Sequence, residues 1–318
     1  MSHVRPFRFG IITDGTPTRE EWITRAREAE DLGYATLLLP DHFTNEFFPL
    51  ASLMAAADAT KTLRIGTLVY NNDLRHPVLL AKEVAALDML SGGRFELGIG
   101  AGWNRPEYDQ VGVPFERAGL RIERLEEALQ ILKQSFSDEP VNFTGKHYTV
   151  TDLNVTPKPI QRPHPPIIMG GGGKKLLSLA AREANGIGLH VKVNDNGTVD
   201  ATENIEETLA EKVRWIREAA GERFSSIELN MLISGFALAH NQQEAAEHYI
   251  RDNELTDVTV EQVLANPYIL LGTTEQMVER IQLWRERLGI SYLVIRAEYR
   301  RAECIRAFAP VVAQLAGK

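Results

Sequence analysis

Ile167-Ile168-Met169-Gly170-Gly171-Gly172-Gly173-Lys174-Lys175-Leu176-Leu177 reads as a buried strand that runs through four glycines into a helix, Leu176 to Ala184, with two lysines in its first turn. A strand, a glycine turn and a helix start make an anion site. Without a Cβ the backbone approaches an oxyanion closely, and the unpaired N–H groups of the helix start face it with the positive end of the dipole behind them. The expected guest is a phosphate, held by Gly170, Gly171, Gly172, Gly173 and Lys174. The alternative is a tight strand-to-helix turn that needs positive φ, with both lysines merely solvated.

Working outward, the same strand–helix unit recurs. Apolar runs at Phe7–Thr13, Ala35–Pro40, Arg64–Tyr70 and Phe95–Ile99 alternate with helical stretches at 19–32, 49–60, 77–90 and 117–136. Gly33 closes the first of these helices, Pro77 opens the third, and Ala101–Pro114 reads as a long loop. Residues Asp138–Pro166 hold six of the fifteen prolines and a small β pattern at Val141–Val150, which predicts a hairpin and an extended crossing segment near 138–166. Beyond Pro166 the repeat resumes with strands at Ile167–Met169, Gly186–Val191, Ile227–Ile233 and Ser291–Arg296, and helices near 203–220, 273–288 and 302–316. Strands apolar on both faces call for a parallel sheet covered by helices, and eight such units in about 300 residues predict a single-domain (β/α)₈ barrel over 1–318. An insertion near 236–272, with short helices near 242–251 and 259–265, falls after the seventh strand and therefore on the catalytic face.

Composition narrows the partners. The 318 residues are 44% hydrophobic and 25% charged, an ordinary globular balance, and 35 basic against 43 acidic residues give a net charge of −8. That excess of negative charge argues against nucleic acid and against an anionic membrane surface. The single cysteine, Cys304, allows no intrachain disulfide and no thiolate cluster, which suits a reducing cytoplasm. Met1–Pro6 has no cationic-then-apolar signal pattern, and no apolar run reaches bilayer length. The histidines show no metal-ligand spacing, so no metal is expected, and a GxSxG nucleophile elbow is absent.

In a barrel the reactive groups stand at the carboxyl ends of the strands. Strand two ends in Asp41-His42, strand three in Leu68-Val69-Tyr70-Asn71-Asn72, strand four in Gly100-Ala101-Gly102-Trp103-Asn104, strand six in His190, and strand eight in Arg296 and Glu298. A histidine beside a carboxylate handles protons near neutral pH; the alternative is a capping aspartate and a structural histidine. Gly98-Ile99-Gly100-Ala101-Gly102 imitates a dinucleotide fingerprint but lacks the helix start that a Rossmann site needs. Its glycines read instead as room for a flat ring, or as a plain barrel-end turn.

Taken together, Leu39-Pro40-Asp41-His42-Phe43, Arg64 to Val69 with Arg75-His76-Pro77, Leu90 to Trp103, Glu107-Tyr108, Pro157-Lys158-Pro159 and Gly170–Gly173 resemble the luciferase-like monooxygenase superfamily. The likeness is strongest to its branch of oxidoreductases dependent on coenzyme F420. The resemblance implies a cofactor ring at the barrel mouth with its phosphate on the glycine loop, and F420 as cofactor with FMN as the alternative. It implies a non-prolyl cis peptide at Leu68–Val69, and contacts to the cofactor from Leu68, Val69, Asn71, Gly100, Gly102, Trp103 and His190. Proton handling falls to His42, with Asp41 beside the ring. Arg105 stands where many relatives carry an acid, which leaves Glu107 as the candidate acid. Arg296 and Glu298 are assigned to a small-molecule substrate. The implied reaction is hydride transfer; a reduced-FMN monooxygenase and a non-enzymatic flavin-binding or phosphate-binding barrel are the alternatives. A homodimer is expected.

Overall fold

A computed structural model describes residues 5–44, 47–192, 194, 205–256, 258–297 and 303–318. Eight parallel strands close into a barrel: β1 (Arg8–Ile12), β2 (Thr36–Leu39), β3 (Arg64–Thr67), β5 (Phe95–Gly100), β8 (Ile167–Gly171), β9 (Gly186–Leu189), β10 (Glu228–Ile233) and β13 (Ile290–Arg296). Closure runs through β13, whose Tyr292 and Arg296 lie opposite Arg8 and Ile12 of β1. A two-residue strand, β4 (Tyr70–Asn71), continues β3 beyond the Leu68–Val69 peptide and pairs with the end of β5. That peptide bond is cis, as the resemblance implied. The (β/α)₈ barrel expected from the repeats is the fold observed.

The outer ring comprises α1 (Arg19–Asp31), α2 (Pro49–Ala59), α3 (Pro77–Leu90), α5 (Ala118–Phe136), α6 (Lys174–Glu183), α7 (Glu206–Ala220), α10 (Thr274–Leu288) and α11 (Cys304–Leu315). Local chemistry sets their ends. Thr18 caps α1 by accepting from the Glu21 N–H, and Gly33, at φ 82°, turns the chain out of it. Pro77 begins α3 behind His76, whose Nδ1 accepts the Val78 N–H. Thr273 and Gln276 form a reciprocal capping box at α10. The apolar faces meet in one layer between strands and helices, where Trp22, Leu37, Leu97, Leu129, Leu177, Ile216, Trp284 and Phe308 are all buried. Each such side chain contributes about 1.5–3 kcal/mol of burial free energy.

The lumen is divided along its length. At the amino end, Arg8 and Arg64 both bond Glu96, at 2.7 and 2.5 Å, and Arg8 also reaches Glu228 at 3.1 Å. Burial works to raise the Glu96 carboxyl, but the two guanidinium groups outweigh it and hold the group below its ordinary range. Nearer the mouth the filling turns apolar, with Ile12, Leu38, Leu68, Val69, Leu232, Tyr292 and Val294 in contact. Charge is thus neutralised at one end, leaving a dry floor at the other.

Three local features differ from the sequence reading. The loop expected over Ala101–Pro114 contains a seven-residue helix, α4 (Arg105–Val111), started by Pro106 in its first turn and ended by Gly112 at φ 72°. The insertion near 236–272 holds α8 (Gln242–Asp252) and α9 (Val260–Ala265), and also a parallel pair, β11 (Gly235–Leu238) with β12 (Ile269–Gly272). Helix α6 begins at Lys174 rather than Leu176, so both lysines lie within it. Residues 138–166 carry an antiparallel hairpin, β6 (Val141–Thr144) and β7 (Thr149–Leu153), fastened by Glu127 of α5, which accepts the N–H groups of Lys146, His147 and Tyr148.

Candidate active site

Because the barrel strands are parallel, their carboxyl ends share one rim. Asp41 and His42 follow β2, Asn71 ends β4, Gly100 ends β5, Gly171 ends β8, His190 follows β9, and Arg296 ends β13. Glu298 lies outside the described residues, as do residues 193 and 195–204.

His42 and Glu107 meet there. The imidazole Nδ1 is 3.0 Å from each carboxylate oxygen. Glu107 is buried, at 4% exposure, whereas the His42 side chain keeps 26% of its surface. The ring of Trp103 stands edge-on to the imidazole at 5.7 Å and 84°. A carboxylate at Nδ1 favours the tautomer with its proton there and leaves Nε2 to exchange a proton with a reactant. Glu107 reaches His42 from α4, an element that sequence periodicity did not disclose because seven residues are too few to show a period.

Asp41 has a different setting. Its Oδ1 accepts from Arg75 Nη2 at 2.8 Å, and its Oδ2 accepts both Arg75 Nη1 and the Asn71 N–H, the latter at 2.9 Å. Both oxygens are committed to the protein, and Arg75 lies over the Tyr70 ring, 4.3 Å from its centroid. Asp41 therefore frames the site beside His42. The sequence offered no sign that Arg75 was its partner, since 34 residues separate them.

The glycines of β5 and beyond have protein neighbours. A Cβ on Gly98 would lie 1.8 Å from the Thr67 carbonyl oxygen, and one on Gly100 would lie 2.9 Å from Val69 Cγ2. At Gly102, φ is +75° and a Cβ would fall 1.9 Å from the Tyr108 hydroxyl. These glycines admit the Leu68–Val69 bulge and the Tyr108 side chain. In consequence the bulge rises against the lumen and forms part of its apolar floor.

The glycine loop sorts in the same way. None of Gly170 to Gly173 has positive φ, so a left-handed turn does not account for them. A Cβ on Gly170 would meet the His190 ring at 2.7 Å, on Gly171 the Leu176 side chain at 2.6 Å, and on Gly172 the Lys192 backbone nitrogen at 2.3 Å. Of the four, Gly173 alone has nothing within 4 Å among the described residues. It is the N-cap of α6, gives no side-chain cap, and no acidic residue follows in the first turn. Among the described residues, the first N–H groups of this ten-residue helix therefore have neither a side-chain cap nor an acidic residue in their own turn. Lys174 Nζ sits 5.9 Å from the centre of the Trp215 ring, and Lys175 Nζ donates to the Gly119 carbonyl.

His190 lies half-buried beside this loop. Burial, with Lys212 and Arg296 adding to it, pushes the imidazole down to about 4, so the ring is neutral at pH 7. Lys212 is itself buried and donates to the His190 carbonyl at 2.8 Å. Asn230, one strand over, is 1% exposed, and among the described residues neither amide atom has a hydrogen-bond partner. A flat, phosphate-bearing cofactor suits this donor set: an apolar floor, an uncapped helix start, an open Gly173, and polar side chains around the rim.

The family model for luciferase-like monooxygenases matches residues 1–292. The chain belongs to this family. The FMNH(2)-dependent dimethylsulfone monooxygenase of Pseudomonas putida is 35% identical over 106 residues, covering 33% of this chain and only 29% of that relative. The 5,10-methylenetetrahydromethanopterin reductase of Methanopyrus kandleri is 27% identical over 282 residues, covering 81% of this chain and 78% of the relative. The solved structure of the coenzyme F420 dependent tetrahydromethanopterin reductase from that organism superposes with a TM-score of 0.78 over 98% of this chain and all of its own, at 19% identity. At that identity the superposition establishes the fold alone. Relatives in this family include both F420-dependent and FMNH(2)-dependent enzymes, oxidoreductases and monooxygenases alike. Among the described residues no group of side chains could hold a metal ion, and no helix is long and apolar enough to cross a membrane.

Proposed function

We propose that this member of the family is an oxidoreductase dependent on coenzyme F420, transferring hydride to or from a small organic substrate at the carboxyl end of the barrel. The observation that carries the proposal is the His42–Glu107 pair at the rim, with Nδ1 3.0 Å from both oxygens of a buried carboxylate. Hydride transfer between carbon centres converts a hydroxyl to a carbonyl, or the reverse, and needs a residue that takes or returns one proton. The extent of the sequence matches supports F420 as well. Among the curated relatives, the F420-dependent glucose-6-phosphate dehydrogenase of Amycolatopsis mediterranei matches along 85% of this chain, whereas the FMNH(2)-dependent monooxygenase matches along 33%.

The cofactor, when bound, supplies the redox chemistry at its ring. The protein supplies the rest. Glu107 holds the imidazole proton at Nδ1, so that His42 accepts or donates at Nε2. Leu68, Val69, Leu232 and Val294 form an apolar cluster that would exclude water from the side of a bound ring that faced it. The N–H groups of Gly173 and of the first turn of α6 would hold the phosphate, with His190 neutral beside them. Arg296, at the end of β13, is the residue assigned to a polar group of the substrate. The apolar Phe48 and Leu50 around the start of α2 and Leu79 on α3 are exposed, which supports a homodimer.

A reduced-FMN monooxygenase is the second reading, favoured by the higher identity of the short match to the dimethylsulfone enzyme. Titration of the purified protein with F420 and with FMN, read by quenched cofactor fluorescence, separates the two. Tight binding of F420 with weak FMN binding is expected. Preference for FMN overturns the cofactor assignment, and binding without turnover of alcohols, carbonyls or imines supports a non-enzymatic carrier.

A further inference from the structure

His42 and Glu107 are 65 residues apart and come from different loops, yet the residue adjoining each is bonded to the same side chain or backbone of one asparagine. Asp41, before His42, accepts the Asn71 N–H at 2.9 Å. Tyr108, after Glu107, donates its hydroxyl to Asn71 Oδ1 at 3.0 Å. That same Oδ1 also accepts the Asp73 N–H at 3.1 Å, which fixes the asparagine's rotamer. We propose that Asn71 is a positioning residue that sets the distance between His42 and Glu107, acting through Asp41 on one side and Tyr108 on the other.

The surroundings are built to keep this anchor still. Asp73, whose Oδ2 is also 3.2 Å from the Tyr108 hydroxyl, is gripped by Arg124 through Nε at 3.0 Å and Nη2 at 2.9 Å. On the other side Arg75 grips Asp41 through two nitrogens. The asparagine therefore sits between two forked guanidinium–carboxylate pairs, whose planar geometry restricts rotation better than single bonds do. Tyr108 is 1% exposed, its ring packs edge-on to Phe115 at 4.9 Å, and its hydroxyl occupies the space that a Cβ on Gly102 would take. Arg121 completes the clamp: its Nε donates to the Ala101 carbonyl at 3.2 Å, and its guanidinium lies 4.0 Å from the centre of the Phe115 ring. A seven-residue helix has little stability of its own, so the place of Glu107 on α4 is set by Tyr108, the next residue along.

This inference rests on the reading of His42 and Glu107 as the proton-handling pair, and its test uses the protein without cofactor, so that failure of the cofactor assignment leaves it standing. Nitrogen-15 and carbon-13 spectra of histidine-labelled protein at pH 8, with His42 identified by difference from His42→Gln, report which ring nitrogen carries the proton. Free imidazole side chains favour Nε2–H, so an Nδ1–H signal is the mark of the Glu107 contact. Wild-type protein is expected to show His42 protonated at Nδ1, with loss of that signal in Glu107→Gln. Tyr108→Phe, which keeps the buried ring, and Asn71→Ala are expected to lose most of it while still unfolding cooperatively. An Nδ1–H signal of wild-type strength in folded Tyr108→Phe overturns the proposal, as does its absence from the wild type. Should Asn71→Ala not fold, Tyr108→Phe decides.

Discussion

Replacing Gly173 with aspartate tests the phosphate loop at the one glycine whose replacement the packing tolerates. Gly173 has φ −94° and ψ 144°, an ordinary extended conformation, and a Cβ there meets nothing within 4 Å. Aspartate is also a favoured N-cap, so its carboxylate should bond the N–H groups of the first turn of α6 and stabilise the helix by about 0.3–1 kcal/mol. That corresponds to a Tm change of about +1 to +3 °C for a chain of this size. The same carboxylate removes the donors proposed to hold the cofactor phosphate and places a like charge about 4 Å from it. At an effective dielectric constant of about 20 that repulsion amounts to about 4 kcal/mol, and partial exposure reduces it to about 2–4 kcal/mol. At about 1.4 kcal/mol per factor of ten, affinity for F420 or FMN should fall about 30- to 1,000-fold. Gly173→Ala separates bulk from charge, with an expected loss of less than about tenfold. Fluorescence titration gives the affinities and calorimetry the Tm. Unchanged cofactor affinity in a Gly173→Asp protein of equal or higher Tm would refute the phosphate placement. The equivalent change at Gly171 is uninformative, because it collides with Leu176 at 2.6 Å.

Three more predictions follow from the geometry. Glu107→Gln keeps the shape of the dyad but removes the charge that holds the proton at Nδ1; kcat should drop by about 10²-fold with little change in cofactor affinity, and steady-state kinetics with an identified substrate check it. Gly98→Ala forces a Cβ against the Thr67 carbonyl at 1.8 Å, so a loss of about 1–3 kcal/mol in denaturant unfolding is expected, with the cofactor site distorted as well. Glu30 accepts the N–H groups of Lys61, Thr62 and Leu63; partial burial works to raise its carboxyl, but these bonds outweigh it and bring it down to about 2. Its folded-state value lies below the unfolded one, so its contribution is present above pH of about 4.5 and is lost as pH falls towards 2. Glu30→Gln should therefore flatten the acid limb of the stability–pH curve, and unchanged acid unfolding would count against the assignment.

What the sequence determined was whatever depends on local periodicity and on residue type. Runs such as Ala35–Pro40 and Ile227–Ile233, apolar on both faces and followed by amphipathic helices, admit few arrangements besides a parallel sheet wrapped in helices, and their number called for a closed barrel. The rim was legible in outline, because parallel strands bring all their carboxyl ends to one side, and so His42, Asn71, Trp103, His190 and Arg296 could be named. What only the tertiary structure decided was which of those groups touch. That Glu107 closes on His42, that Asp41 is committed to Arg75, and that Asn71 joins the two halves all depend on contacts across 30 to 65 residues, for which one sequence carries no periodic signal. The glycines show the same division. Their type announced close approach at Gly98, Gly102 and Gly170–Gly173, but whether the approaching group is a carbonyl, a tyrosine hydroxyl, a histidine ring or open space is a property of the neighbouring strand, and in this barrel only Gly173 faces open space along that loop.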